Sequence, residues 1–262
     1  MQGRSRFAAI RRQMMPKGIE LAHKAQDELK ARYKATNIDP FDKAYLKPHC
    51  DEILDELIDL EFELFKIEEQ RVNSDLLWQV VGSGLSPSKH LTKNQLELLV
   101  KGKFNELRDF YKSISQSRVS RAGGSLQNHI AFILDSLHYP FEMQKIINGK
   151  PDFILPNANL YYKTPGECIL VTAKRTLRER WRQIITEGFR SPYYFLVTID
   201  EKQSSDSLRE MAGHRIYLVV PERIRRNVSV YRTSGNVISV RAFFEDYLDP
   251  AMARWHQAGI VP

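Results

Sequence analysis

The segment PDFILPNANLYYKTPGECILVTAK, residues 151–174, contains two short apolar runs, each of which borders a charged residue. The runs Asp152–Leu155 and Cys168–Ala173 are rich in the large and β-branched residues that are typical of buried strands. Asp152 begins the first predicted strand, and Lys174 directly follows the second. We therefore expect a carboxylate and an ammonium group to converge on one point at the edge of a sheet.

Further predicted strands and helices alternate around this segment. The runs Phe141–Ile147 and Asp152–Leu155 flank Asn148-Gly149, which predicts a hairpin. Strands alternating with helices indicate an α/β fold, with a mostly parallel or mixed sheet covered on both faces. Downstream, we predict helices at Leu177–Glu187 and Ser205–Ala212, and strands at Tyr193–Ile199 and Arg215–Val220.

The N-terminal half has a helical pattern. Apolar residues recur mostly at spacings of three and four from Asp51 to Phe65 and from Leu91 to Ile114. The Gly/Ser/Pro cluster at residues 82–90 predicts a loop between these two helices. We therefore expect a mainly helical region at residues 1–117 and a mixed α/β core at residues 118–262.

The segment SQSRVSRAGGS, residues 115–125, predicts a basic loop at this boundary, with Ser125 capping a helix from Leu126 to Leu137. Its two glycines permit close approach of the backbone to a ligand, and Arg118 and Arg121 could contact phosphates. A flexible connection that binds nothing is an equally good interpretation.

The composition excludes several classes of protein. A hydrophobic content of 42% and a charged content of 27% are ordinary globular values, and they exclude disordered, collagen-like and coiled-coil chains. No apolar run approaches the ~18 residues of a membrane span, and the basic N-terminus lacks a signal core. Cys50 and Cys168 form neither a disulfide framework nor a zinc motif, so we expect a cytoplasmic protein. The formal charge of +7 favours an anionic partner.

A third charged residue completes a candidate active site. Lys174 follows Asp152 by 22 positions, and Glu187 follows Lys174 by 13, on the next predicted helix. Two carboxylates suit Mg²⁺, which polarises a phosphate oxygen and lowers the pKa of a bound water. The Lys ammonium can orient this water or neutralise the developing charge. Each residue alone is more typical of a turn or a solvated strand end, but the three together indicate phosphodiester hydrolysis.

This spacing resembles the PD-(D/E)XK nuclease superfamily, although Thr172 occupies the usual position of the second acid. It is most similar to the type II restriction endonucleases that read CC/GG-containing palindromes, in which this acid lies on the following helix, where Glu187 stands here. The resemblance covers about residues 118–200. It implies a restriction-endonuclease-like mixed sheet flanked by helices. Asp152 and Glu187 would bind Mg²⁺, and Lys174 would position the nucleophile.

The same resemblance extends to Arg178, Glu179 and Arg180, which match an Arg-acid-Arg element that enters the major groove of DNA. Arginine bonds guanine O6 and N7, and glutamate accepts from cytosine N4, so this triplet suits adjacent G·C pairs. A solvated helix face with Arg–Glu pairs is the alternative interpretation.

The resemblance also implies the target and the partners. The target would be double-stranded DNA carrying a CCGG, CCNGG or CCWGG site. A palindromic site requires two-fold symmetry, so we expect a homodimer in which each subunit cuts one strand. A cognate DNA methyltransferase would be the genetic partner.

Other residues are given structural roles. Gln127 stands near the position of an acid that supports a second metal in this branch, so a second metal site is in doubt. We expect His129 to be structural and Trp181 to belong to a core or an interface. Trp78 is predicted to be a buried core residue, with contacts from Trp78 or Arg71 to flipped bases as the alternative.

Two other functions are compatible with the same residues. A repair or structure-specific nuclease on the same scaffold would cut mismatched or branched DNA rather than a fixed sequence. A non-catalytic DNA-binding protein would carry a decayed site, but the presence of Asp152, Lys174 and Glu187 argues against it.

Overall fold

The chain forms a mixed sheet flanked by helices. The computed structural model describes residues 6–82, 92–147, 149–177, 181–186 and 191–262. Within these ranges the sheet has six strands in the order β1-β2-β3-β4-β5-β6. The strands are β1 Glu142–Met143, β2 Phe153–Leu155, β3 Ile169–Ala173, β4 Tyr194–Val197, β5 Ile216–Val220 and β6 Val237–Ser239.

The strand directions change at β3. Strands β1, β2 and β3 pair antiparallel, whereas β3, β4, β5 and β6 pair parallel. Phe153 pairs with Val171, so the beginning of β2 lies beside the end of β3. The predicted mixed sheet with flanking helices is confirmed. The predicted hairpin is present as the β1–β2 pair, with a bridge between Ile147 and Gly149; Asn148 lies outside the described residues.

Helices supply the layers on both sides of the sheet. The N-terminal helices are α1 Arg6–Met14, α2 Gly18–Tyr33, α3 Lys43–Leu46, α4 Cys50–Gly82, α5 Lys93–Gly102 and α6 Phe104–Ser136. The later helices are α7 Ala158–Lys163, α8 Trp181–Thr186, α9 Ser205–Gly213, α10 Glu222–Asn227, α11 Ser229–Thr233, α12 Val240–Ala242 and α13 Asp249–Gln257. A π-helical segment, Phe243–Leu248, joins α12 to α13. In the described ranges, no helix is long and apolar enough to cross a membrane.

Alternate residues of the strands face two hydrophobic cores. Phe153, Val171 and Phe195 pack in the core that is shared with α2, α4, α6 and α13. Leu170 and Leu196 pack in the core on the other face, which α7 to α11 cover. Because helices cover both faces, the central strands are apolar at nearly every position, as the sequence pattern predicts.

Helix α6 corrects the prediction of a loop at residues 115–125. The helix is continuous from Phe104 to Ser136, and Ser125 lies buried within it rather than capping a new helix. Phe110 packs in a small core with α1 and α4, while Leu126 packs in the core beneath the sheet. Tertiary packing on both sides of the Gly-Gly pair therefore outweighs the ~1 kcal/mol that each interior glycine costs a helix.

Helix α4 corrects the prediction for Trp78. The buried stripe of this part of the helix is formed by Val72, Leu76 and Val80, at a spacing of four residues. Trp78 lies on the other side of the helix and is 66% exposed. Gly82 ends the helix, and residues 83–90 of the predicted loop lie outside the described residues.

Asp51 connects the helical layer to the end of the sheet. Its buried carboxylate accepts hydrogen bonds from the backbone N–H groups of Glu222, Val240 and Arg241, at 2.9–3.0 Å. Burial raises the pKa of the Asp51 carboxyl, and the three donors act in the opposite direction. One side chain of α4 thus caps the first turns of both α10 and α12.

Replacing Asp51 should destabilise the whole fold. Asp51→Ala leaves three backbone donors without their acceptor, so we expect the free energy of unfolding to fall by about 2–5 kcal/mol. Urea denaturation followed by circular dichroism measures this change. Glu52→Ala, at the exposed neighbouring position, should alter stability by no more than ~0.5 kcal/mol. Equal stability of the two variants would contradict this role.

Candidate active site

Asp152 and Lys174 meet at the junction of β2 and β3. The Lys174 ammonium donates to Asp152 Oδ2 at 2.9 Å. The same carboxylate oxygen accepts from the backbone N–H of Ala173, also at 2.9 Å. The Asp152 side chain is 13% exposed and that of Lys174 is 31% exposed, so both groups border solvent.

The sheet fixes the backbone on both sides of this contact. The N–H of Lys174 donates to the carbonyl of Val197 at 2.9 Å, which extends the parallel β3–β4 ladder by one residue. The N–H of Thr198 likewise donates to Val219 on β5. The ammonium group of Lys174 is therefore presented from a rigid strand end rather than from a loop.

Thr172 leaves this part of the site without a second acid. Its hydroxyl lies 2.7 Å from the hydroxyl of Tyr194, and the pair is buried beside the site. A cavity of about 220 Å³ borders Thr172 and Lys174, and Lys150 also lines it. Any second carboxylate must come from another element. The predicted residue, Glu187, lies outside the described residues.

The described residues offer one ligand position for a hard cation. Within these ranges, Asp152 Oδ1 accepts no hydrogen bond, so this oxygen is available to a metal. The same ranges contain no group of three or more His, Cys, Asp or Glu residues that could hold a metal. A carboxylate oxygen is a ligand that hard divalent cations prefer, so Asp152 fits a role in binding one.

A buried polar network adjoins the end of β3 that carries Lys174. The Arg175 guanidinium donates to Ser125 Oγ at 3.1 Å, and Ser125 Oγ donates to Glu61 at 2.5 Å. His129 Nε2 lies 2.6 Å from the same Glu61 oxygen, although its ring N–H is not aligned for a hydrogen bond. Since Arg175 follows Lys174 in the chain, the network joins this strand end to α4 and α6.

The network balances charge in a buried setting. Burial lowers the pKa of the Arg175 guanidinium, whereas the carboxylates of Glu61 and Asp59 raise it. His129 is fully buried, which agrees with its predicted structural role. Sequence reasoning missed Glu61 and Arg175, because no local pattern relates residues that are so far apart along the chain.

Comparisons with known proteins identify the family of this site. The family model described as EcoRII C terminal matches residues 86–244, which include both Asp152 and Lys174. The chain belongs to the EcoRII C-terminal family. The predicted resemblance to this branch of type II restriction endonucleases is therefore confirmed.

Two curated relatives match this chain. The chain is 36% identical to the type II restriction enzyme EcoRII of Escherichia coli over 141 residues, which is 50% of this chain and 34% of that protein. It is 28% identical to the type II restriction enzyme SsoII of Shigella sonnei over 158 residues, covering 55% of this chain and 49% of that protein. The match thus spans half or less of each relative's length.

Two solved structures share the fold. Metal-depleted Ecl18kI in complex with uncleaved, modified DNA has a TM-score of 0.78 and 20% identity, covering 98% of this chain and 84% of that chain. The PspGI–substrate DNA complex has a TM-score of 0.64 and 21% identity, covering 91% of this chain and 94% of that chain. PspGI is a restriction endonuclease, and the likeness to both structures confirms the predicted fold class.

The structure describes the residues that flank the predicted DNA-reading triplet but not the triplet itself. Arg178, Glu179 and Arg180 lie outside the described residues. The residues on either side are held firmly, since Leu177 and Trp181 are each 1% exposed. The N–H of Leu177 also donates to the buried Asp200 carboxylate at 2.8 Å. The role predicted for Trp181, as part of a core, agrees with its position.

Arg118 is held by an acidic partner on α4. Its guanidinium donates two hydrogen bonds to the Glu69 carboxylate, at 2.6 and 2.7 Å, which raises the pKa of Arg118. The Arg118 side chain is nevertheless 61% exposed, and it lines a cavity of about 740 Å³ between α2, α4 and α6. The side chain of Arg121 lies outside the described part of the structure.

The remaining predicted residues have clear positions. Gln127 is buried on α6, and its amide nitrogen finds no partner within the described ranges. Arg71 forms ion pairs with Glu68 and Asp75 on its own helix. Among the described residues, neither Gln127 nor Arg71 forms a hydrogen bond or an ion pair with Asp152.

The buried network should contribute to stability through Glu61. Glu61→Ala removes the acceptor of Ser125 and leaves His129 and Arg175 without the nearby carboxylate. We therefore expect a loss of about 2–4 kcal/mol in the free energy of unfolding, measured by urea denaturation. Glu63→Ala is the matched control, since Glu63 is exposed on the same helix. A Glu61 variant as stable as this control would refute the assigned role.

Proposed function

We propose that the chain is a type II site-specific deoxyribonuclease. It would hydrolyse phosphodiester bonds of duplex DNA, with Mg²⁺, at a palindromic site of the CCGG, CCNGG or CCWGG kind. The observation that carries this proposal is the contact of Asp152 with Lys174 at the β2–β3 junction, in a member of the EcoRII C-terminal family. The names of the relatives and the DNA in the related structures support it.

The residues of the proposed site divide the chemistry. Asp152 and Glu187 would hold Mg²⁺, which supplies a Lewis acid for the phosphate and lowers the pKa of water. Lys174 donates from the rigid end of β3, so its ammonium can orient the nucleophilic water and neutralise charge on the phosphate. Asp152 also accepts from Lys174, which holds the ammonium in place before DNA binds.

DNA recognition is assigned to the segment that follows the catalytic lysine. Arg178, Glu179 and Arg180 would read the CC/GG half-site, and Arg118 and Arg121 would contact phosphates. Arg118 uses two of its five N–H donors on Glu69, which leaves the others for a phosphate oxygen. In this proposal residues 1–117 grip DNA and make dimer contacts, and residues 118–262 form the nuclease core.

The proposed enzyme would act as a cytoplasmic homodimer beside a DNA methyltransferase. A homodimer would place one site on each strand of the palindrome, and a cognate DNA methyltransferase would protect the host sites. The free, buried thiols of Cys50 and Cys168 are compatible with the proposed cytoplasmic location.

Digestion of a defined plasmid tests the function. The plasmid carries CCGG, CCAGG and CCCGG sites and is incubated with Mg²⁺ or with EDTA, and the fragment ends are sequenced. Discrete Mg²⁺-dependent fragments are expected, and their ends define the target and the overhang. Tight binding without cutting would instead indicate a DNA-binding protein. A smear, or cutting only at distorted DNA, would indicate a repair nuclease.

Lys174→Ala should abolish cleavage and leave site-specific binding largely intact. The substitution removes the ammonium group that acts on the phosphate, whereas the base-reading residues remain. Cleavage assays with Mg²⁺ and gel-shift titrations in EDTA measure the two properties separately. Lys163→Ala, at an exposed position on α7, is the control and should cut normally. Normal cutting by the Lys174 variant would remove this residue from the active site.

Arg178→Ala should weaken the discrimination of one G·C pair by about 1–3 kcal/mol. A bidentate guanidinium–guanine contact favours guanine over other bases, and alanine cannot replace it. Competition binding with DNA variants at each position of the site measures this preference. Arg182→Ala is the control four positions later in the sequence, where the side chain is exposed and paired with Glu210. If the Arg178 variant keeps the original site preference, this residue does not read bases.

A further inference from the structure

Helix α5 and the beginning of α6 present an unusually exposed apolar surface. All of residues 93–112 are described, and Phe110 is the only buried residue among them. Large apolar side chains are exposed here: Leu96 49%, Leu98 70%, Val100 48%, Phe104 63% and Tyr111 59%. We call residues 93–112 the α5–α6 face. An amphipathic helix of ten residues that buries none of them has not used its apolar side within the monomer.

We propose that the α5–α6 face is the surface through which two copies of this chain pair. The inference rests on the proposed function, because a nuclease that cuts both strands of a palindrome needs a second copy related by a two-fold axis. It adds the location of the contact, which is distant in sequence from Asp152 and Lys174.

The apolar side chains on α6 form a continuous stripe. Phe104, Leu107 and Tyr111 follow one another at spacings of three and four, so they lie on one side of the helix. Phe110, beside this stripe, packs into the small core with α1 and α4, and its ring meets Tyr111 edge-on at 5.2 Å. The exposed stripe is therefore supported from behind by packed residues, as an interface requires.

The charges of the α5–α6 face favour a second copy over DNA. The face contains five basic and three acidic residues, which alternate along the two helices. Each acid lies beside a base: Glu97 with Lys101 at 2.5 Å, Glu106 with Lys103 at 3.0 Å, and Asp109 with Arg108 at 3.4 Å. These pairs leave no large region of one sign on the face, and a mixed pattern can complement itself across a two-fold axis.

The size of the face also suits an interface. Helix α5 alone is about 15 Å long, and the face comprises twenty residues. Specific interfaces commonly use about 20–30 residues from each partner. Only one side of each helix can contact a partner, so the α5–α6 face would supply part of such an interface, including its exposed apolar residues.

Sedimentation equilibrium of the full chain, without DNA and without metal, tests the proposal. The wild type should sediment as a dimer, at twice the chain mass of 30.5 kDa. Leu98→Glu and Phe104→Glu each place an unpaired charge within the contact, so each should weaken self-association by about 30-fold or more. Ile146→Glu is the matched control, because Ile146 is 76% exposed on the β1–β2 connection and should leave the dimer intact. Thermal unfolding should show that all three variants fold like the wild type.

Three results would overturn the proposal. A micromolar dimer has a Kd of about 1 μM. A wild-type chain that stays monomeric at a concentration about 100-fold above this Kd has no such contact. Dimers that persist in both α5–α6 variants place the contact elsewhere. Variants that remain dimeric and lose DNA affinity assign the face to DNA. Since the measurement needs neither cleavage nor DNA, a dimer that dissociates as expected supports the surface even if the plasmid is never cut.

Discussion

Antiparallel pairing of β2 with β3 is the constraint on which the site depends. It places the beginning of one strand beside the end of the next, so Asp152 and Lys174 meet although 22 positions separate them. Parallel pairing of β3 with β4 then holds the lysine backbone from the other side. In a sheet that was parallel throughout, the start of β2 and the end of β3 would lie at opposite ends of the strands.

Buried hydrogen bonds join the N-terminal helical layer to the sheet. Asp51 caps two C-terminal helices, and Glu61, two turns and more along α4, supports the network that ends at Arg175. One helix therefore makes hydrogen bonds both to the far end of the sheet and to the network that adjoins Lys174. Because these groups are buried, each hydrogen bond is costly to break, and the two layers are expected to unfold together.

The parts that sequence reasoning predicted are those encoded by local patterns. Strands β3 to β5 are apolar at nearly every position, and Asp152 and Lys174 stand at strand ends, where a charged residue contrasts with its apolar neighbours. The mixed sheet followed from the alternation of strands and helices. The sequence predicts that the carboxylate and the ammonium group converge. The structure adds that the Lys174 ammonium donates to Oδ2 of Asp152.

The parts that were missed depend on contacts between distant segments. The Gly-Gly pair in α6 has the composition of a loop, but the helix packs against other elements on both sides of the pair, at Phe110 and at Leu126. Glu61 and Ser125 are 64 positions apart, so no periodicity relates them. Trp78 was expected in a core because of its residue type, but the period of the buried stripe on α4 places it outside. In each case tertiary context overrides a local preference.

The unbroken course of α6 has a mechanical consequence. A helix of 33 residues is about 50 Å long, and α6 carries the α5–α6 face near its beginning and Ser125, with its link to Arg175, about two thirds of the way along. In the proposed dimer, the length of this helix sets the distance between the symmetry axis and each catalytic centre. The stagger of the two cuts along the duplex would then be set by a length of helix, and one residue removed between these points would turn one end by about 100° relative to the other.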